Sequence, residues 1–175
     1  MIFCTGIIVA DIVAAELPIL PDEGEVLFTE RGIKIRVGGH VDNVSIDLKK
    51  LGVKKKVFAM GCIGKDIFGE FIEMALKSYD VNTLLHRVES IETSKNIILV
   101  IKGKDRRFIT DPGANLYLDP YEVVEKIKET SPEIFYVGAT GWLGRFDDML
   151  DYVLMNAKKE GAITVVDPIA PYGRD

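Results

Sequence analysis

Three short segments of the sequence carry residues of the types that bind small polar molecules. The first is Asp11, which follows a run of apolar residues at positions 2–10. A carboxylate at the end of a buried strand is costly unless it is paired, hydrogen-bonded or hydrated. Ligands of open α/β sheets bind beyond the carboxyl ends of the strands. Asp11 is therefore a candidate ligand-binding residue, and a surface turn or a helix cap is the alternative.

The second segment is residues 38–43, Gly-Gly-His-Val-Asp-Asn. Gly38 and Gly39 allow a ligand to approach the backbone closely, and the start of the following helix leaves N–H groups free. The Asn43 amide both donates and accepts hydrogen bonds, which suits a sugar hydroxyl. An ordinary strand-to-helix turn is the alternative. The segment matches neither the dinucleotide fingerprint nor the phosphate-binding loop with its lysine.

The third segment is the turn Asp111-Pro112-Gly113-Ala114-Asn115, which taken alone is typical of a simple loop. Arg106 and Arg107 precede it and could pair with an acidic group of a substrate. We assign that role to Arg107, and a solvated strand edge is the alternative for at least one of the two.

The elements that must position these segments alternate between strands and helices. Strands are predicted at 2–10, 57–63, 83–88, 134–138 and 162–166, and helices at about 40–51, 67–78, from Asp119 and at 146–159. Two hairpins are predicted, one pairing 25–29 with 33–37 and one pairing 96–102 with 106–110. Helices between buried strands imply a mostly parallel sheet with right-handed crossovers. The hairpins, within about 12–39 and 90–111, predict a smaller second sheet.

Composition excludes several classes of protein. The chain of 175 residues is 47% hydrophobic with a net charge of −5, which fits one globular α/β domain over 1–175. No apolar run reaches the roughly 18 residues of a membrane helix, and no broad basic stripe suggests nucleic-acid binding. Cys4 and Cys62 lie in apolar segments, which indicates two buried free thiols and a protein of the reducing cytosol. We therefore expect a cytoplasmic protein without a metal site, and without membrane or nucleic-acid partners.

Taken together and in order, these segments resemble the ribokinase-like (PfkB) carbohydrate and nucleoside kinases. The resemblance covers essentially the whole chain. It is carried by FCTGIIVAD (3–11), GGHVDNVSIDLKKLG (38–52), FAMGCIGKDIFGEFI (58–72), YDVNT (79–83), Thr93-Ser94, DPGANLYLDP (111–120) and VVDPIAPYGRD (165–175). Two departures concern the substrate: Val41 stands where a small residue is usual, and Pro168-Ile169-Ala170 replaces the usual Pro-Asn-x-Arg.

The resemblance implies a kinase that transfers the γ-phosphate of ATP, with Mg²⁺, to a hydroxyl of a sugar or nucleoside. It implies that the hairpins form a lid that excludes water and supplies a homodimer surface, with Val26, Phe28 and Ile35 meeting the partner. The implied substrate-binding residues are Asp11, Gly38, Gly39, Asn43, Ala114 and Asn115, and Gly138-Ala139-Thr140 could also touch the substrate.

The resemblance further implies that the catalytic base lies downstream of residue 175. The family's Gly-Ala-Gly-Asp and Asn-x-x-Glu motifs do not occur in the 175 residues. We therefore expect a truncated, N-terminal portion that is inactive alone and binds neither ATP nor Mg²⁺ tightly. The alternatives are a non-catalytic sugar-binding or regulatory module, and a nucleotide-cofactor oxidoreductase domain, which would need the missing glycine fingerprint.

Overall fold

The computed structural model describes residues 1–170, whose nine strands form two sheets. The strands are β1 (Ile2–Gly6), β2 (Val9–Leu17), β3 (Ile33–Gly38), β4 (Val57–Gly64), β5 (Asn82–Val88), β6 (Lys95–Ile101), β7 (Arg106–Asp111), β8 (Ile134–Thr140) and β9 (Ile163–Pro168). The helices are α1 (His40–Lys50), α2 (Ile67–Ser78), α3 (Pro120–Thr130), α4 (Arg145–Asp148) and α5 (Leu150–Lys159), and a 3-10 helix spans Gly113–Tyr117.

The large sheet has the strand order β5-β4-β1-β8-β9, and all of its pairs are parallel. β1 lies at its centre and is buried along its full length, as an all-apolar strand predicts. One core cluster packs α1 and α2 against the sheet, and another packs α3 and α5 against the opposite face. The predicted α/β architecture, with a parallel sheet flanked by helices and a small second sheet, is confirmed.

The small sheet has the order β3-β2-β6-β7, and its strand registers arrange side chains in rows that alternate between its two faces. The row that we call the polar row contains Arg36, Asp11, Asn96 and Thr110. The neighbouring row, on the opposite face, contains Ile35, Ile12, Ile97 and Ile109, and we call it the isoleucine row. The polar row therefore lies on one face of the small sheet, which we call the polar face, and the isoleucine row lies on the other.

The pairing predicted for the first hairpin is wrong. Residues 25–29 form no strand, and β3 pairs instead with β2 in an antiparallel ladder. The apolar run after Asp11 provides this partner, because it continues to Leu17 before Pro18 ends it. The single strand predicted at 2–10 is likewise two strands, since the chain leaves the large sheet after Gly6 and enters the small sheet at Val9.

Most of the other predicted elements are confirmed. The second hairpin is present as β6 and β7, and α2 spans 67–78 with Asp66 as its cap. Asp119 caps α3, whose first residue is Pro120. The helix predicted at 146–159 is interrupted, because Met149 separates α4 from α5. No helix within residues 1–170 is long and apolar enough to cross a membrane.

Candidate functional site

A cavity of about 510 Å³ lies between the polar face of the small sheet and the carboxyl end of the large sheet. Ile7 and Ile169, which follow β1 and β9, line it on the side of the large sheet. The start of α1 contributes Gly39, His40 and Asn43. The small sheet contributes Val9, Asp11, Asn96, Ile98, Arg106, Phe108 and Thr110. The cavity thus combines apolar walls with a few convergent polar groups, as ligand sites do.

Asp11 lies within β2 of the small sheet and not at the end of the first strand, so its predicted place is corrected while its exposure to the cavity remains. Nδ2 of Asn96 donates a hydrogen bond of 2.8 Å to Oδ1 of Asp11 and fixes the carboxylate against β6. Burial raises the pKa of Asp11, and the hydrogen bond from Asn96 partly opposes that rise. The other carboxylate oxygen, Oδ2, can accept a hydrogen bond from a ligand hydroxyl.

The paired glycines shape the wall beside Asp11. A β-carbon on Gly39, whose φ is +86°, would lie 2.5 Å from the carbonyl oxygen of Ile7. Only glycine therefore allows α1 to begin this close to the loop after β1. The N–H of Val41 donates a hydrogen bond of 3.2 Å to the same Ile7 carbonyl. Gly38 makes room for the Asp11 side chain itself. The exposed Asn43 lies one turn into α1 and faces the cavity.

Asp42, which sequence reasoning passed over, lies fully buried between these residues. Neither of its carboxylate oxygens has a hydrogen-bond partner within residues 1–170. Burial raises the pKa of Asp42 well above its ordinary value, the nearby Val9 N–H opposes this, and the Asp11 carboxylate raises it further. A fully buried carboxyl group with a raised pKa thus lies close to Asp11. Its only signal in the sequence is an acidic residue within the first turn of a helix that must pack on a sheet.

His40, at the first position of α1, forms a second polar group with residues of the large sheet. Its Nε2 lies 3.7 Å from Oδ2 of Asp167, and Tyr136 donates a hydrogen bond of 3.0 Å to the same oxygen. Burial and this hydrogen bond raise the pKa of Tyr136. Only His40 of the three lines the cavity. The group depends on strands β8 and β9 being neighbours, which residue spacing alone does not reveal.

Arg107 does not reach the cavity. Side chains alternate along β7, so Arg106, Phe108 and Thr110 face the cavity while Arg107 lies with Ile109 on the other face. The guanidinium of Arg106 lies 5.4 Å from the centre of the Phe108 ring. The prediction that Arg107 faces the ligand site is therefore wrong, and Arg106 is the arginine of β7 that lines the cavity.

Ala114 and Asn115 are buried in the 3-10 helix and line no part of the cavity. Asn115 instead holds the chain between the two sheets: its Oδ1 accepts from the Ile8 N–H at 3.1 Å, and its Nδ2 donates to the Ile8 carbonyl at 2.9 Å. Residues 138–140 are also buried outside the cavity lining. Asn115 therefore supports the site by fixing the start of β2.

Asp66 supports the site from the other side. Its Oδ1 accepts from Phe68 and Gly69 at the start of α2, and its Oδ2 accepts from the Thr93 N–H at 2.7 Å. Burial alone would raise the pKa of Asp66, but these hydrogen bonds, that of Thr93 foremost, hold the pKa below its ordinary value. Thr93 lies two residues before β6, so Asp66 anchors the segment that leads into the strand carrying Asn96.

No group of three or more His, Cys, Asp or Glu side chains within residues 1–170 is arranged to hold a metal ion. The same residues provide no glycine-rich phosphate loop with a following lysine. The two thiols, Cys4 and Cys62, are buried and do not line the cavity, and burial raises the pKa of both to about 12. What the cavity offers is hydrogen bonding to hydroxyl groups, with apolar and aromatic walls.

Comparison with known proteins agrees with this arrangement. Residues 1–168 match a family described as pfkB family carbohydrate kinase. A ribokinase from Giardia lamblia superposes with a TM-score of 0.83 at 22% identity, covering 98% of this chain and 55% of that one. A fructokinase from Halothermothrix orenii gives 0.75 at 21%, covering 99% and 61%. A ribokinase of Arabidopsis thaliana complexed with ribose and ATP gives 0.76 at 20%, covering 94% and 52%.

At these identities the likeness concerns the fold. The chain spans between half and two thirds of the length of these three proteins. A search of curated proteins found no match.

Proposed function

This chain belongs to the pfkB family of carbohydrate kinases, and from that premise we propose that it carries the substrate pocket of a sugar or nucleoside kinase. The observation that supports this most is the convergence of Asp11, Gly39 and Asn43, from two separate elements, on one cavity. In the proposed complex the Asp11 carboxylate accepts hydrogen bonds from substrate hydroxyls, and Asn43 donates or accepts another. Gly38 and Gly39 keep the wall thin enough for close contact with the backbone.

The reaction that we propose for the whole protein is transfer of the γ-phosphate of ATP to a substrate hydroxyl, with Mg²⁺. Residues 1–170 do not fit the metal ion or the nucleotide, since they offer neither a carboxylate cluster nor a phosphate loop. The proposal therefore assigns the catalytic base, ATP and Mg²⁺ to residues outside those described. The contribution of this chain is positioning of the acceptor hydroxyl and exclusion of water, which are major terms in phosphoryl transfer.

We also propose that the small sheet acts as a lid and as the surface of a homodimer. Its polar face lines the cavity, and its other face exposes the isoleucine row to solvent. In that row Ile35 is 52% exposed and Ile109 is 63% exposed. Large apolar side chains in a continuous exposed row are typical of interaction surfaces, and a second copy would bury them against the same row. A cytoplasmic location is part of the same proposal.

Thermal unfolding of the 175-residue chain tests the proposed pocket. A panel of pentoses, hexoses and nucleosides is added, and the true substrate at a hundredfold excess over its Kd should raise the Tm by about 5–10 °C. The shift should vanish in Asp11→Ala and persist in Asp105→Ala, which removes an exposed carboxylate from the β6–β7 turn of the same sheet. No shift with any compound, or an equal shift in both variants, would contradict the proposed function.

The alternative is a non-catalytic sugar-binding or regulatory module that retains the kinase fold. The reading frame from which the chain is translated, together with its intact mass, distinguishes the two. A Gly-Ala-Gly-Asp sequence in the same polypeptide supports the kinase. Phosphorylation of a sugar by the 175 residues alone, abolished in Asp11→Ala, would contradict the expectation that the chain is inactive by itself.

A further inference from the structure

A second cavity, of about 430 Å³, lies on the polar face of the small sheet beyond Asp11. Arg31, Lys34 and Arg36 line it, together with Val13 and Glu16. We call it the basic groove. Arg36 is the direct cross-strand partner of Asp11, and Lys34 is the partner of Val13, so the groove continues the face that lines the substrate cavity.

The basic groove carries an excess of positive charge, because three cations and one carboxylate, that of Glu16, line it. No carboxylate of residues 1–170 lies within 4.0 Å of the Arg31, Lys34 or Arg36 cations. Arg36 and Lys34 are two residues apart on one strand and face the same way, so their like charges repel each other. Asp11 is the cross-strand partner of Arg36 but forms no ion pair with it, and its Oδ1 accepts a hydrogen bond from Asn96 on the other neighbouring strand.

Protection of an edge strand is the ordinary role of such charges, and β3 is an edge strand. That role does not require the cations to share one face. Here the other face of β3 carries Ile33, which is 65% exposed, and Ile35. Along β3, the two cations Lys34 and Arg36 therefore share the face that continues into the substrate cavity, while the two isoleucines share the other face.

We infer that the basic groove binds the anionic group of an acidic sugar, a carboxylate or a phosphate ester, whose hydroxyls are held by Asp11. This inference rests on the proposed function and names the class of its substrate. Directly paired residues of an antiparallel ladder have Cα atoms about 4.5–5.5 Å apart, so one six-carbon chain spans from Asp11 to Arg36. Guanidinium groups bind carboxylate and phosphate through paired hydrogen bonds. Arg106, at the other side of the cavity, is a weaker candidate because Asp105 lies 4.0 Å from its Nε.

Calorimetric titration of the 175-residue chain at constant ionic strength tests the inference. The ligands are a neutral hexose, the corresponding hexonate, the hexose 6-phosphate and inorganic phosphate. We expect an anionic sugar to bind at least about 10-fold more tightly than the neutral hexose. Comparison of the hexonate with the hexose phosphate identifies which anion the groove prefers.

Three variants separate the possible outcomes. Lys34→Ala/Arg36→Ala should abolish the preference for the anionic sugar and leave the neutral hexose unchanged, whereas Lys104→Ala/Arg107→Ala, outside the cavity face, should preserve it. Equal binding of neutral and anionic sugars that still depends on Asp11 would overturn the inference and leave the proposed function standing. Inorganic phosphate binding as tightly as the sugar phosphate, or anion binding unchanged in Asp11→Ala, would also overturn it. Binding of no sugar at all would overturn both.

Discussion

Gly38 and Asp11 fit each other across the β2–β3 ladder: a β-carbon on Gly38 would lie 2.6 Å from Cγ of Asp11. The three atoms nearest to that position all belong to the Asp11 carboxyl group. The glycine is thus required by a neighbouring side chain and not by a left-handed backbone. The first glycine of the pair preserves the orientation of a carboxylate, and the second, Gly39, permits the close approach of α1 to Ile7.

Gly38→Ala should therefore abolish the sugar-dependent rise in Tm to the same extent as Asp11→Ala, because the added methyl group displaces the carboxylate. It should also destabilise the folded protein by about 1–3 kcal/mol, as overpacking does. A double-mutant cycle identifies the cause. In an Asp11→Ala background, Gly38→Ala should reduce the free energy of unfolding only slightly. If urea unfolding shows that the effects of the two substitutions add, this explanation is contradicted.

Asp42 makes stability depend on pH in a definite direction. Because burial raises the folded-state pKa of Asp42, the folded protein keeps a proton that the unfolded chain releases above its ordinary pKa of about 3.9. The contribution of the protonated Asp42 to stability is thus fully present below the unfolded-state pKa. It is lost as the pH rises from that value toward the folded-state pKa. Asp42→Asn should flatten this decline and, near neutral pH, stabilise the protein by about 1–3 kcal/mol.

Urea unfolding between about pH 4 and pH 8 measures that effect. Asp47→Asn is the matched control, since Asp47 lies on the same helix with its side chain exposed. An identical pH dependence of unfolding in wild type and Asp42→Asn would show that Asp42 is hydrated or paired in solution.

Asp66 should show the opposite dependence on pH. Its hydrogen bonds hold the folded-state pKa of Asp66 below the ordinary value, so its contribution is present above the unfolded-state pKa and is lost as the pH falls through the folded-state pKa. Asp66→Asn should cost about 1–3 kcal/mol near neutral pH and less in acid. Asp119→Asn is the control: Asp119 also caps a helix, but among residues 1–170 its side chain accepts a hydrogen bond from Tyr121 alone.

The two cap variants should also differ in sugar binding. Loss of the Asp66–Thr93 link should weaken the sugar response, because Thr93 precedes the strand that carries Asn96, whereas Asp119→Asn should leave it intact. A sugar response that is equally weakened in both variants would indicate general destabilisation instead.

The isoleucine row predicts the oligomeric state. Ile35→Lys and Ile109→Lys should each convert a homodimer into monomers, since a buried charge without a partner is strongly unfavourable in an apolar interface. Light scattering after size-exclusion chromatography measures this directly. Ile163→Lys is the control, as Ile163 is 67% exposed on the large sheet, away from the small one. A wild-type chain that is monomeric at all concentrations would contradict the proposed dimer.

The large sheet was predictable because its strands are apolar and its helices periodic, and both signals are local. The small sheet was predicted to exist but with the wrong partner for β3. Residues 25–29 alternate as a strand does, yet β2 offers a longer apolar ladder to Ile33–Gly38. Local alternation identifies strands, but competition among possible partners depends on the whole fold.

The candidate site was predictable in part for the same reason. Asp11 and Asn43 follow motifs that are contiguous in sequence, and the cavity includes both. The sequence does not show whether Arg106 or Arg107 faces the cavity, because that depends on the register between β6 and β7. Asp42 was not predicted because its burial results from the packing of α1 on the sheet. The contact between His40 and Asp167 was not predicted because it depends on the order of the strands.

The hydrogen bond between Asn96 and Asp11 has a consequence for folding during synthesis on the ribosome. Asp11 pairs with a residue 85 positions further along, and β1 lies between two strands of which the later begins at Ile134. Ribosomes add about 5–20 residues per second. The first strands to be synthesised therefore wait for several seconds before their long-range neighbours exist, and during that time an apolar segment and the Asp11 carboxylate lack their final partners. Assembly of the pocket is in this sense a late event, even though the residues that define it are among the first to be translated.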